Sequence, residues 1–233
     1  MITLIGVGHV FAIANNVKEI IRSRSPDVVC LELDAARYHA LSEKRQAGSV
    51  PLQYRLLAYL QRRMAMKFGT EVGDEMMAAV DAAGEVGAKI ALIDMDASRV
   101  FTLLWKKMSS RERLNLFAGA LVGLFVSKET VEKEMKKYEE HEDEYIATLG
   151  AGLPTVKEVL IDDRNKFMAE RLSSLAAQHP RIVAVVGDGH IPGLLEQLRP
   201  TEVETIRLKD LRKGAERKDE SSEYSASFWY QSE

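Results

Sequence analysis

The stretch RIVAVVGDGHIPGLL, residues 181–195, decides the fold. Its apolar run, 182–186, is short, rich in β-branched side chains and free of alternation, so it predicts a strand buried on both faces. The run stops at Gly187-Asp188-Gly189-His190, and helical periodicity follows at once in IPGLLEQLR. A buried strand passing straight into a helix is half of a βαβ unit. The chain opens the same way, with ITLIGVGHVFAI at 2–13. Superposed, the two stretches match glycine with glycine and histidine with histidine through G-x-G-H. The copies lie too far apart for a solenoid repeat, and they suit two equivalent βα units whose histidines converge on one site.

Working outward, VVCLEL (28–33), KIALID (89–94) and VETIRL (203–208) read as further strands. Helical patterns cover about 10–23, the stretch from Asp34 through AARYHALSEKR, 51–68, 71–87 and 155–178. The predicted fold class is α/β: a mainly parallel central sheet with helices on both faces and a helical insertion. That insertion is placed at about 97–150, where SRVFTLLWKKM, RERLNLFAGALVGLFV and KETVEKEMKKYEEHEDEY hold no strand-like run. One domain therefore spans 1–212, and the polar residues 213–233 are expected to be a disordered tail.

Composition narrows the function classes. A net charge of −3 over 233 residues gives no electrostatic reason to expect nucleic acid. The most apolar window, 116–126, falls short of the ~20 residues a membrane-crossing helix needs. The single cysteine, Cys30, sits among aliphatic residues and reads as packing, compatible with a reducing, cytoplasmic setting. No signal-peptide pattern precedes the first strand.

Parallel α/β sheets gather their ligand sites beyond the carboxyl ends of the strands. Four such ends carry polar residues: His9 after the first strand, Glu32 and Asp34 with Arg37 after the second, Asp94 and Asp96 with Arg99 after the third, and His190 after the fourth. Glu32, a carboxylate among apolar neighbours, must be paired or hold a cation. Either Arg37 or a histidine-held metal would satisfy it. Asp94 and Asp96 suit a site or the N-cap of the next helix equally well. Neither glycine turn continues as G-x-G-x-x-G, because Phe11 and Pro192 stand at the third glycine's place, which argues against a dinucleotide. His39, His141 and His179 lack such a context and read as surface residues. His9, His190 and Glu32 form the His₂Glu donor set of a catalytic divalent metal such as Mn, Co or Zn. With no H-E-x-x-H and no nucleophile elbow, metal-assisted hydrolysis is favoured by elimination.

These motifs resemble the TraB/PrgY family, related to the TIKI proteases and GumN-like proteins. The resemblance runs over about 1–210 and rests on GVGHV, PDVVCLELDAAR, GTEVGDEM, ALIDMDASRVF, IDDRNKFMAERL and VVGDGHIPGL. It implies that His9, Glu32, His190 and a polar residue of the DDRN segment form the site. It also implies a peptide substrate and a peptidase-like activity, with roles for Arg37, Arg164 and Asn165 and an acidic position at Glu71. Asp94 and Arg99 are expected at the substrate rim. Two positions depart from the family pattern: Asp163 replaces the usual glutamate, and IDMD stands for IDRD. Many relatives carry hydrophobic C-terminal spans, so the chain could also be the soluble part of a membrane-associated protein. The competing expectations are a non-catalytic peptide- or small-ligand-binding protein, and a homodimer assembled through the helical insertion.

Overall fold

The apolar runs form strands β1 (Ile2–Val7), β2 (Val28–Leu31), β3 (Lys89–Leu92), β4 (Ile182–Gly187) and β5 (Val203–Ile206). They pair in parallel as one sheet in the order β3-β2-β4-β1-β5. The structure is a computed structural model and describes residues 1–8, 13–46, 73–115 and 152–212. Helices α1 (Ala14–Arg24), α2 (Ala35–Gln46), α3 (Asp74–Val86), α4 (Ala97–Lys107), α5 (Pro154–Lys157), α6 (Asp163–Ala176) and α7 (Ile191–Gln197) surround it.

Side chains alternate across a strand, so each apolar run feeds two cores. Ile5, Val29, Leu31, Val183 and Val185 pack on one face against Val17 and Ile21 of α1 and Met76 and Ala79 of α3. Ile2, Leu4, Cys30, Ala184 and Val186 pack on the other against Met168 and Leu172 of α6 and Ile191 and Leu194 of α7. The predicted doubly covered parallel sheet is what the chain forms. Cys30 is fully buried, and burial pushes its thiol up to about 12, so it is packing and not chemistry.

Several boundaries differ from the sequence-based expectation. β2 and β3 end two residues early, because the Leu33 amide turns back onto the Leu31 carbonyl at 2.7 Å and takes the chain out of the ladder. Glu32 therefore stands at the strand's exit rather than inside it. The long helix expected at 155–178 is interrupted by a π-helical turn, Glu158–Asp162, in which the Asp163 amide bonds the Glu158 carbonyl five residues back. α3 ends as expected on Gly87, whose φ of 69° is the left-handed conformation that glycine adopts without strain. The helix expected at 51–68, residues 116–150 of the insertion and the tail 213–233 lie outside the described residues. His39 is exposed and His179 half-buried, while His141 falls among the residues not described.

The described base of the insertion is held by a capping contact. Glu112 is buried and accepts from the Ser109 amide (3.0 Å) and hydroxyl (2.9 Å) and from the Thr155 amide (2.9 Å). One carboxylate thus joins the chain entering the insertion to the chain leaving it. The Thr155 and Ser109 amides, outweighing its burial, hold its pKa at about 2 against an ordinary 4.5. A depressed carboxylate contributes stability above its unfolded pKa and loses it as the pH falls toward the folded value. Glu112→Gln is therefore expected to lower the thermal midpoint at neutral pH. The gap from wild type should close between about pH 4.5 and pH 2, measured by circular dichroism across that range.

Candidate functional site

In an open α/β sheet, a crevice forms where neighbouring strands send their connections to opposite faces. β4 leads into α7 on one face, while its neighbours β1 and β2 lead into α1 and α2 on the other. The Gly187-Asp188-Gly189-His190 turn leaves β4 at this point as a 3₁₀ turn, Asp188–His190. In the ladder Gly6 faces Val186 and Val7 faces Gly187, so the glycines that open the two G-x-x-H motifs lie on neighbouring strands, one residue out of register. His9 itself lies outside the described residues, as does Glu71.

Glu32 reaches this turn from β2. Its Oε2 accepts the Gly187 amide at 2.5 Å. Its Oε1 accepts from Arg164 Nη2 and stands 3.3 Å from His190 Nε2. A Cβ on residue 187 would lie only 3.3 Å from the same carboxylate, a tight fit that favours glycine there. Burial raises the Glu32 pKa, but the His190 imidazole, the Arg164 guanidinium and the Gly187 amide outweigh it and hold the carboxyl well below the usual range.

Arg164 continues the network. Its Nε and Nη2 fork onto Asp94 at 3.0 and 2.7 Å, and its Nη1 donates to the Leu160 carbonyl inside the π-helical turn at 3.1 Å. That turn directly precedes two consecutive residues, Arg164 and Asn165, that both serve the site, a common use of π-helical turns. Asp94, with its side chain 1% exposed, also accepts from Arg37 Nη2 at 2.5 Å. Arg37 Nε donates to Asp34 at 2.6 Å, and Asp34 accepts the Ala97 amide at 3.1 Å. The Arg37 amide and guanidinium, with the Ala97 amide, outweigh burial and lower the Asp34 pKa.

The imidazole is oriented from behind. His190 is buried, and its Nδ1 lies 2.7 Å from Asn165 Oδ1. A carboxamide oxygen only accepts, so Nδ1 carries a hydrogen and Nε2 is the nitrogen that faces Glu32. At 3.3 Å from Oε1, Nε2 meets the carboxylate either as an imidazolium N–H or across a cation shared by the two. Among the described residues Glu32, Asp34 and Asp94 pair with the guanidiniums of Arg37 and Arg164, and Glu32 also with the His190 imidazole.

Two ligands about 2.1 Å from one cation at a tetrahedral angle stand about 3.4 Å apart, close to the Nε2–Oε1 spacing. Among the described residues no group of three His, Cys, Asp or Glu side chains converges, and His9 lies outside them.

The structure brings together Glu32, Arg37, Asp94, Arg164, Asn165 and His190. Arg99 is exposed on the first turn of α4, and its amide is capped by Asp96 at 3.0 Å. Of the two aspartates after the third strand, Asp96 caps a helix and Asp94 enters the network. The Glu32 countercharge is Arg164 and not Arg37, a pairing across 132 residues that no local spacing reveals. Asp188 and Arg207 were not foreseen. The i,i+3 spacing of Asp34 and Arg37 was visible in the sequence.

Gly193 on α7 packs against Asn165 so closely that a Cβ there would lie 2.1 Å from Nδ2. Glycine to alanine inside a helix ordinarily stabilises by about 0.5–1 kcal/mol. Here the sign is expected to reverse: Gly193→Ala must displace Asn165, and a urea titration should show a lower midpoint with an unchanged slope.

Fold and site together define a class: parallel α/β proteins with an acid–guanidinium–imidazole centre where the sheet's connections diverge. The chain belongs to the TraB/PrgY/gumN family, whose model matches residues 1–205. An uncharacterized protein of Methanocaldococcus jannaschii, MJ1365, is 31% identical over 232 residues, covering 91% of this chain. The chain spans 58% of that relative's length. A solved structure described as cofacial heme binding to ChaN of Campylobacter jejuni is similar over 88% of this chain and 80% of its own, with 13% identity and a TM-score of 0.39. At that similarity it says nothing of this chain's ligand. No helix of the described residues is long and apolar enough to cross a membrane.

Proposed function

We propose that this protein is a hydrolase of peptide bonds, activating water at His190 and Glu32 with a divalent cation of the Mn, Co or Zn type. The observation that carries this proposal is the His190–Asn165 hydrogen bond, which aims Nε2 at Glu32 Oε1 across 3.3 Å. His190 Nε2 and Glu32 Oε1 would hold the cation together with His9. Bound there, such an ion lowers the pKa of water and polarises a carbonyl.

The chain's own residues have separable tasks. Arg164 and the Gly187 amide keep Glu32 ionised and fix its direction. A carboxylate held so far below neutrality is a poor general base, so of ligand and base, ligand suits Glu32 better. Asn165 fixes the imidazole tautomer. Arg37 is half-exposed beside the buried Asp94, and it is the cation that a developing oxyanion or a substrate carboxylate can reach. Asp94 holds the two guanidiniums apart from each other and in place.

Metal analysis tests the proposal. Purified protein reconstituted with Mn²⁺, Co²⁺ or Zn²⁺ should retain close to one equivalent, and His190→Ala should abolish retention. Less than about a tenth of an equivalent in wild type would count against a metal-dependent hydrolase. The second reading, a binding protein that turns nothing over, is favoured by one observation: both Glu32 oxygens already accept hydrogen bonds. Retention of metal without turnover would select it. We also propose a homodimer through the helical insertion, on whose described part Phe101 and Leu114 are exposed. Sedimentation of protein lacking 110–145 tests that assembly. A cytoplasmic setting is proposed from the single unpaired thiol at Cys30.

A further inference from the structure

We propose that Asp188 is a positioning residue that ties the His190 turn to the segment following β5, so that Arg207 and Leu208 set the alignment of the imidazole. Asp188 opens the 3₁₀ turn that ends on His190, and it is buried. Its carboxylate accepts Arg207 Nε at 3.0 Å, Arg207 Nη2 at 2.9 Å and the Leu208 amide at 2.9 Å. A bidentate guanidinium fork plus a backbone amide fixes direction as well as charge.

Two further contacts show the clamp is built in. At Gly6 of β1 a Cβ would lie 2.1 Å from Asp188 Oδ1 and 3.2 Å from its Cα, so only glycine leaves room for the carboxylate. On the other side, Leu208 and Leu211 are buried in the same core as Val17 and Ile21, and Asn16 Nδ2 donates to the Leu211 carbonyl at 3.0 Å. The segment that receives Asp188 is therefore anchored in the domain and cannot swing with the turn. The turn is gripped at three consecutive places: the Gly187 amide by Glu32, the Asp188 carboxylate by Arg207 and Leu208, and His190 Nδ1 by Asn165. The first and third grips are part of the site. The second is not, and it reaches the site through Gly189, the one residue that separates Asp188 from His190.

The inference rests on His190 being the site's working imidazole, but its test needs no turnover. In ¹⁵N-labelled full-length protein the two imidazole nitrogens of His190, assigned with His190→Gln, should be widely split, as for a single Nδ1–H tautomer. Asp188→Asn keeps the shape and removes the charge, and it should collapse that splitting toward a tautomer average. Arg207→Met should do the same, and Arg207→Lys should restore much of the splitting. Met77→Ala, buried on α3 and apart from the core that holds Leu208 and Leu211, should lower the thermal midpoint and leave the His190 nitrogens unmoved. Unchanged nitrogens in Asp188→Asn and Arg207→Met overturn the inference, as does an equal collapse in Met77→Ala. If Asp188→Asn does not fold, the comparison of Arg207→Lys with Arg207→Met decides. Absence of hydrolysis in wild type would sink the proposed activity while leaving this result intact.

Discussion

Arg164→Met is expected to cost about 3–5 kcal/mol of folding stability, the usual penalty for removing one partner of a buried charge network. Among the described residues Arg164 is the one cation that touches both Glu32 and Asp94, and neither carboxylate has solvent to fall back on: their side chains are 7% and 1% exposed. Methionine matches the stem in length and flexibility, so the loss reports charge and hydrogen bonds more than volume. Arg164→Lys should recover only part of it, because an ammonium is a point donor and cannot fork onto Asp94 while reaching Glu32. Adding Glu32→Gln to Arg164→Met should cost less than the sum of the two changes, since they remove one interaction. Guanidinium titration measures the four variants, Glu32→Gln alone included, against wild type. A loss below about 1 kcal/mol for Arg164→Met would mean that the cluster behaves like an exposed surface pair.

His190→Ala should lower hydrolytic turnover by about 10²–10⁴, the range that a well-placed proton-transfer or ligand group supplies. Stability should change far less, because the Asp188 and Gly187 contacts still hold the turn. Asn165→Leu should act more mildly, about 10–100-fold, because it leaves the imidazole present but free to change tautomer. Steady-state assays on a peptide mixture, read by mass spectrometry, check both. Equal turnover by wild type and His190→Ala would remove the imidazole from any account of the chemistry.

Much of this was legible from the strand ends. Runs such as IVAVV and VVCL can only be doubly covered strands, and a parallel sheet then brings their polar exits to one edge. The echo between Gly6–His9 and Gly187–His190 suggested two equivalent βα units, and their strands β1 and β4 are neighbours in the sheet, while His9 lies outside the described residues. The need of Glu32 for a countercharge was also readable, from desolvation alone. Which arginine answers it was not, because Arg164 lies on a helix whose periodicity looks uniform. The π-helical turn that presents Arg164 and Asn165 leaves no mark in the apolar pattern. Asp188 read as a turn residue for the same reason: its partner Arg207 comes from beyond β5, and only the packing of Leu208 and Leu211 brings it near. The reversed sign expected for Gly193→Ala likewise depends on Asn165 crossing from another helix.

The central claim is that water attacks a peptide bond at His190 and Glu32, and isotope incorporation tests it most directly. Wild-type protein loaded with Mn²⁺, Co²⁺ or Zn²⁺ is incubated with a peptide mixture in H₂¹⁸O, beside His190→Ala and Glu32→Gln. The account predicts new C-terminal carboxyl groups carrying ¹⁸O in the wild-type reaction, and none above background in either variant. Wild-type protein that retains its metal and yields no ¹⁸O-labelled fragment would contradict it.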